Sequence, residues 1–168
     1  KHSMDLIKSD LKQLGIEHDN FFSETELIEN KLVDKAVNHL KKNNYVQEGY
    51  LEPPKGESDK TWKKTKRLIF KSTLFGDDTD RAMQKNDGSW TYFANDVGYH
   101  MDKVNRNYKY LIDVLGADHT GYVKRITAAV SALSENKVKL NCKVCQLVKL
   151  YKNGKPFKMS KRAGDFIS

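Results

Sequence analysis

The sequence predicts an α/β protein with a parallel sheet, and three observations carry that prediction. Tyr110-Leu-Ile-Asp-Val-Leu115 is a short, nearly all-apolar run, the pattern of a strand buried on both faces of a parallel sheet. The glycine turn Gly116-Ala-Asp-His-Thr-Gly121 follows, and then Tyr122, Ile126, Val130 and Leu133 recur at helical spacing. A second strand, alternating apolar and polar, runs from Val138 to Leu150. Strand, turn, helix and strand in this order fit a parallel crossover. Ligands bind such sheets beyond the carboxyl ends of the strands, the position that Gly116–Gly121 occupies.

The remaining elements follow from local pattern. Met4, Ile7, Leu11 and Leu14 share a helical face, and Gly15 stops that helix. Ile16 to Phe22 reads as a short strand. Ser23, with Glu26 three residues on, has a capping-box pattern and opens a helix carrying Ile28, Leu32, Ala36 and Leu40 on one face. Lys41-Lys-Asn-Asn44 suits the end of that helix. Tyr45 to Leu51 is a strand, Pro53 to Asp59 a loop, and Arg67 to Ser72 another strand before the polar loop Gly76 to Arg81. Ala82–Lys85 and Ser89–Phe93 flank Asn86-Asp-Gly88, a hairpin signal. A helix with Ala94, Val97, Met101 and Val104 on one face comes next. The chain closes with a turn at Gly154-Lys155-Pro156 and the run from Lys158 onward. No internal repeat is present.

A length of 168 residues fits one domain with a real core. With 38% hydrophobic and 31% charged residues the chain is globular rather than disordered. Its longest apolar runs are only a few residues, which argues against a membrane span or a secretory leader. It begins with Lys, and Lys161 stands seven residues from the end, so a piece of a longer protein is expected. The net charge of +8 favours polyanionic partners such as ATP or RNA. Lys60 to Arg67 holds five basic residues and one tryptophan, which suits a phosphate backbone or, equally, a solvated loop feeding a strand. Cys142 and Cys145 lack a second ligand pair for zinc, and three-residue spacing on a strand sends them to opposite faces. They read as reduced cysteines of a cytosolic protein, and no protein-bound metal is predicted.

Three stretches carry candidate chemistry. Tyr92-Phe-Ala-Asn-Asp96 puts a phenol and a carboxylate on one side of a helix start, where Asp96 can accept a guanidinium bidentately or simply suit the helix dipole. Gly116-Ala-Asp118-His119 offers close backbone approach, a carboxylate for ribose hydroxyls and an imidazole, or merely a capped turn. Lys158-Met159-Ser160-Lys161 holds two ammonium groups three residues apart beside a hydroxyl, a loop that can wrap a polyphosphate.

Taken together these residues resemble the arginyl-tRNA synthetases over essentially the whole chain. The resemblance is carried by Lys85 to Lys103, Val114 to Tyr122, and Lys158 to Gly164, the last similar to the KMSKS signature of class I aminoacyl-tRNA synthetases. It implies a Rossmann-like nucleotide-binding domain with a parallel sheet. Residues to about 80 would lie in or near a connective insertion, and those from about 81 to 168 in the second half of the nucleotide-binding fold. It also implies ATP-dependent activation of L-arginine to arginyl-adenylate and transfer to tRNA(Arg), in the cytoplasm, by a monomeric full-length enzyme. By resemblance Glu24, Tyr92, Asp96 and His119 contact arginine, with Asp96 facing the guanidinium. Gly116, Asp118, Lys158, Met159, Ser160 and Lys161 contact ATP, with Lys158 and Lys161 stabilising the pyrophosphate side and Mg2+ arriving with the nucleotide.

The family's His-x-Gly-His type motif and its anticodon-binding domain are missing from this sequence, so the piece alone is expected to be inactive. It is also expected to self-associate or be partly disordered, through an exposed strand edge. A non-catalytic basic RNA-binding module is the alternative from another class. A class I synthetase for another amino acid fits less well, because acids paired with a tyrosine suit a guanidinium.

Overall fold

The computed structural model describes residues 2–51, 65–146 and 149–157. Pro53–Asp59, most of the Lys60–Arg67 basic run and the whole of Lys158–Gly164 lie outside them. Helices α1 (His2–Gln13), α2 (Glu24–Glu29), α3 (Leu32–Lys42), α4 (Tyr92–Asn105) and α5 (Val123–Ser134) alternate with seven short strands. The core forms where α3, α4 and α5 meet. Val33, Ala36, Val37 and Leu40 come from the first, Phe93, Ala94 and Val97 from the second, and Ile126, Ala129 and Leu133 from the third. Their spacing of three and four residues gives each helix one apolar stripe, so burial of that stripe drives the assembly. Gly98 sets how closely α3 and α4 approach. A Cβ there would stand 3.0 Å from both the backbone nitrogen and the Cα of Val33.

Two of the N-terminal expectations are corrected. Ile16 to Phe22 is not a strand; Ile16 donates its N–H to the Leu11 carbonyl at 2.9 Å, and Lys8 sits 4.6 Å over the Phe21 ring. The polar run Glu17-His-Asp-Asn20 has no apolar alternation to bury, so the segment folds back on α1 instead. The single helix expected from Ser23 is two. Ser23 does cap α2, accepting from the Thr25 N–H, but Lys31 adopts a left-handed conformation (φ 51°) and restarts the chain as α3. Ile28, expected on the inner face, is consequently 68% exposed.

Strands β1 (Val46–Gly49), β2 (Arg67–Phe70) and β3 (Arg81–Ala82) form an antiparallel sheet in chain order, with Val46 opposite Phe70 and Ile69 opposite Ala82. Ser72 falls in a 3-10 turn (Ser72–Phe75) rather than in β2. The Asn86-Asp-Gly88 turn forms, with Gly88 at φ 83° and the Lys85 N–H donating to the Ser89 carbonyl at 2.8 Å. The returning arm stops at the Gln84–Trp90 bridge, because Thr91 caps α4 through the Ala94 N–H. Tyr92 and Phe93, expected in a strand, are therefore helical.

Strands β4 (Tyr110–Gly116) and β5 (Lys139–Cys145) pair in parallel, from Tyr110 opposite Lys139 to Gly116 opposite Cys145, and α5 connects them. The crossover is as expected, but burial of β4 on both faces is not. Leu111 is buried, whereas Tyr110, Ile112 and Val114 are open to solvent, at 71%, 65% and 70%. Among the described residues, β5 is the strand paired with β4. The long strand expected to Leu150 ends at Cys145. Beyond it β6 (Leu150–Lys152) and β7 (Lys155–Phe157) form a hairpin around Asn153-Gly154, at φ 52° and 74°. Two adjacent positive φ values are the hairpin signature, so the turn precedes the expected Gly154–Pro156 and Pro156 stands in a strand. Among the described residues, no helix is long and apolar enough to cross a membrane.

Gly98→Val is expected to lower the unfolding free energy by about 1–3 kcal/mol, since the backbone of Val33 must retreat. Gly121→Ala, with open space at its Cβ position, serves as the control. The exposed Tyr110-Ile112-Val114 row, beside a strand edge that is unpaired among the described residues, predicts that the isolated chain self-associates. Light scattering showing a clean monomer with low dye binding would contradict this.

Candidate functional site

The cap at Thr91 sets the phase of α4, and that phase places Asp96, Tyr99, His100 and Lys103 on one stripe at positions i, i+3, i+4 and i+7. The stripe lines one wall of a cleft of about 410 Å³. Residues Ile112 to Leu115 of β4 line the opposite side, and His119, Tyr122 and Ile126 close the end beyond the strand's carboxyl terminus.

An ion cluster ties the two walls together. The buried His100 ring places Nδ1 2.8 Å from the Asp96 carbonyl oxygen and Nε2 2.8 Å from Asp113 Oδ2. Lys103 Nζ donates to the other carboxylate oxygen, Asp113 Oδ1, at 2.7 Å. Both imidazole nitrogens thus face oxygen atoms, one of the helix backbone and one of the Asp113 carboxylate. Burial raises the Asp113 carboxyl, but the bonds and charges of His100 and Lys103 outweigh it and hold the group at about 2. Lys103 also lies 4.6 Å from the Tyr99 ring centroid, and Tyr99 packs on Phe22, next to Ser23-Glu24.

At the rim, the Tyr122 hydroxyl donates a short hydrogen bond to Asp96 Oδ2. Burial, reinforced by the neighbouring Asp96 carboxylate, pushes the phenol far above its ordinary value, so it stays a donor. Asp96 Oδ1 makes no protein hydrogen bond among the described residues. The Arg125 guanidinium lies 5.2 Å over the Tyr122 ring, and the His119 ring stands edge-on to it at 6.5 Å.

Of the residues singled out from the sequence, Asp96 and His119 share this cleft. Tyr92, one turn before Asp96 on α4, is 82% exposed with Lys85 Nζ 5.8 Å from its ring, and it does not line the cleft. Glu24 is exposed in the first turn of α2 and does not line it either. Gly116 ends β4, and Asp118 lies in the turn after it with Oδ2 3.6 Å from His119 Nε2. A Cβ on Gly116 would meet Asp118 Oδ1 at 2.5 Å, so glycine is what lets that carboxylate fold back. Lys158, Met159, Ser160 and Lys161 lie outside the described residues. Sequence reasoning missed His100, Lys103, Asp113 and Tyr122. Asp113 did leave a signal, as a lone acid within an apolar strand.

The low Asp113 value links to stability. Its folded value lies below the ordinary 3.8, so the carboxylate's contribution is complete above about pH 4 and is lost as pH falls toward about 2. Asp113→Asn is expected to be less stable than the wild type at neutral pH by on the order of 1–2 kcal/mol. Denaturation curves of the two proteins should converge as pH drops through that window.

Comparison with known proteins bears on what this cleft serves. No family model matches the chain. An arginine–tRNA ligase of Pelagibacter ubique (strain HTCC1062) is 60% identical over 166 residues, which are 99% of this chain and 29% of the relative. Arginine–tRNA ligases of Roseobacter denitrificans and Ruegeria pomeroyi are 57% and 54% identical over 98% of the chain and 28% of their own length. A solved structure from Campylobacter jejuni, described as an arginyl-tRNA synthetase, superposes with a TM-score of 0.71 at 31% identity, covering 93% of this chain and 31% of that one. The chain therefore spans just under a third of the length of the curated relatives it matches. Over nearly all of its own length, and over that portion of theirs, the chain is similar in sequence and in fold to arginine–tRNA ligases.

Proposed function

We propose that this chain supplies the arginine pocket and part of the ATP site of an enzyme that ligates L-arginine to tRNA(Arg). The observation that carries the reading is the Asp96 carboxylate, held at the cleft rim by Tyr122 through Oδ2, with no hydrogen bond to Oδ1 among the described residues. A guanidinium presents a planar fork of N–H donors, and a carboxylate fixed at one oxygen and open at the other is its natural acceptor. His119 would border the substrate in the same cleft. The family resemblance implies that Tyr92 and Glu24 also contact arginine, although neither lines this cleft.

The reaction runs in two steps. The arginine carboxylate attacks the α-phosphorus of ATP, pyrophosphate leaves, and arginyl-adenylate forms; a terminal ribose hydroxyl of tRNA(Arg) then displaces AMP. The chain's residues act by positioning and by charge, without a covalent enzyme intermediate. Gly116, at the carboxyl end of β4, and Asp118, just beyond it, would meet the ribose, and Lys158 and Lys161 the departing pyrophosphate. Mg2+ would come with the nucleotide as its counter-ion. We read the parallel pair with α5 as part of a Rossmann-like nucleotide-binding domain from about residue 81. Residues to about 80 would then be the part near the connective insertion, in a cytoplasmic enzyme.

Asp96→Ala in the full-length protein is expected to lower kcat/KM for arginine in tRNA arginylation by about 100-fold or more, with the circular dichroism spectrum retained. Unchanged arginylation would reduce Asp96 to a helix-start residue and redraw the pocket. Salt-sensitive binding to any RNA, without stabilisation by arginine, would instead favour a basic RNA-binding module.

A further inference from the structure

An aspartate on a half-buried helix stripe can sample several rotamers, and a bidentate partner tolerates few of them. Asp96 is constrained from two directions. His100 Nδ1 holds its backbone carbonyl at 2.8 Å from within α4. Tyr122, which immediately precedes α5, holds its side chain from across the cleft. The Tyr122 ring is itself fixed: Phe93 stands edge-on at 6.3 Å, His119 edge-on at 6.5 Å, and Arg125 lies over the face at 5.2 Å. Its hydroxyl therefore sits at a defined point, with its single proton committed to Asp96 Oδ2.

We propose that Tyr122 is the positioning residue for guanidinium recognition, aiming the Asp96 carboxylate so that Oδ1 and the remaining lone pair of Oδ2 face the substrate fork. This rests on the reading of Asp96 as the guanidinium acceptor. Tyr122 acts through Asp96 rather than on the substrate, because its proton is already spent. The effect is pre-organisation: without the hydroxyl, the carboxylate must be ordered at the moment arginine binds. A fork-shaped cation suffers from that loss because it needs both oxygens in one plane.

The test uses the full-length protein and four forms: wild type, Tyr122→Phe, Asp96→Ala and the double variant. Tyr122→Phe keeps the ring and its packing while removing only the hydroxyl. In steady-state arginylation, its KM for arginine is expected to rise about ten-fold, with kcat and the KM values for ATP and tRNA within about two-fold. In the Asp96→Ala background, the same substitution should change kcat/KM for arginine by less than about two-fold, since its target is gone. The proposal is overturned if Tyr122→Phe leaves the arginine KM unchanged while Asp96→Ala raises it. Equal effects of Tyr122→Phe in both backgrounds, or a parallel rise in all three KM values with a lowered melting midpoint, would also overturn it. An unchanged arginine KM in Asp96→Ala would remove the pocket reading itself, and this inference with it.

Discussion

The bond between Asp113 and the His100–Lys103 pair is the constraint on which the cleft depends. α4 is held on its apolar side by α3 and α5, and that packing alone allows small rotations and slides. The cluster acts on the other side. His100 and Lys103, one helical turn apart, close on the two oxygens of one carboxylate in the adjacent strand, at 2.8 and 2.7 Å. Such a cluster pays heavily in desolvation and is a poor source of net stability. Its geometric yield is large, because one carboxylate cannot meet both side chains unless helix and strand stand at one height and one rotation.

The other constraints on α4 work through the same helix. Thr91 fixes where the first turn begins, and a shift of one residue would rotate every later side chain by about 100°. Its hydroxyl also donates to the Ala82 carbonyl at 3.0 Å, which ties the helix start to the antiparallel sheet. Gly98 fixes the depth at which the helix seats on α3. Phase, depth and height together decide where Asp96 points.

This explains which parts were legible in the sequence. Helical faces at Ala94, Val97, Ile126 and Leu133 declare themselves by spacing, and the parallel pair follows from an apolar run, a helix and an alternating run in order. Ser23 and the Asn86-Asp-Gly88 turn are local chemistry and were readable for that reason. The break at Lys31 was not, since a lysine at φ 51° carries no composition signal and helical periodicity runs through it. The cluster was equally hidden: His100 and Asp113 lie thirteen residues apart on different elements, and only the fold brings them together. Asp96 was singled out as a guanidinium acceptor, whereas Tyr122 was read simply as a helix position. Its hydroxyl has meaning only once the α5 start is placed against α4, twenty-six residues away.

The two parallel strands differ in a way that bears on the cleft. On β5 the outward positions are Lys139, Asn141, Lys143 and Cys145, against inward Leu140, Cys142 and Val144, the alternation of a strand with one wet face. Its neighbour β4 has Tyr110, Ile112 and Val114 in the matching outward row, an apolar surface with nothing to gain from water. Registered side by side, the two strands form a face that grades from polar to apolar toward β4. Ile112 and Val114 are also cleft-lining residues, although Asp113 between them faces the other way, toward α4. The apolar row of β4 thus borders the charged pocket. A cover laid over β4 would dry the cleft as it buried the strand, and drying strengthens every charge interaction within it, the open oxygen of Asp96 included.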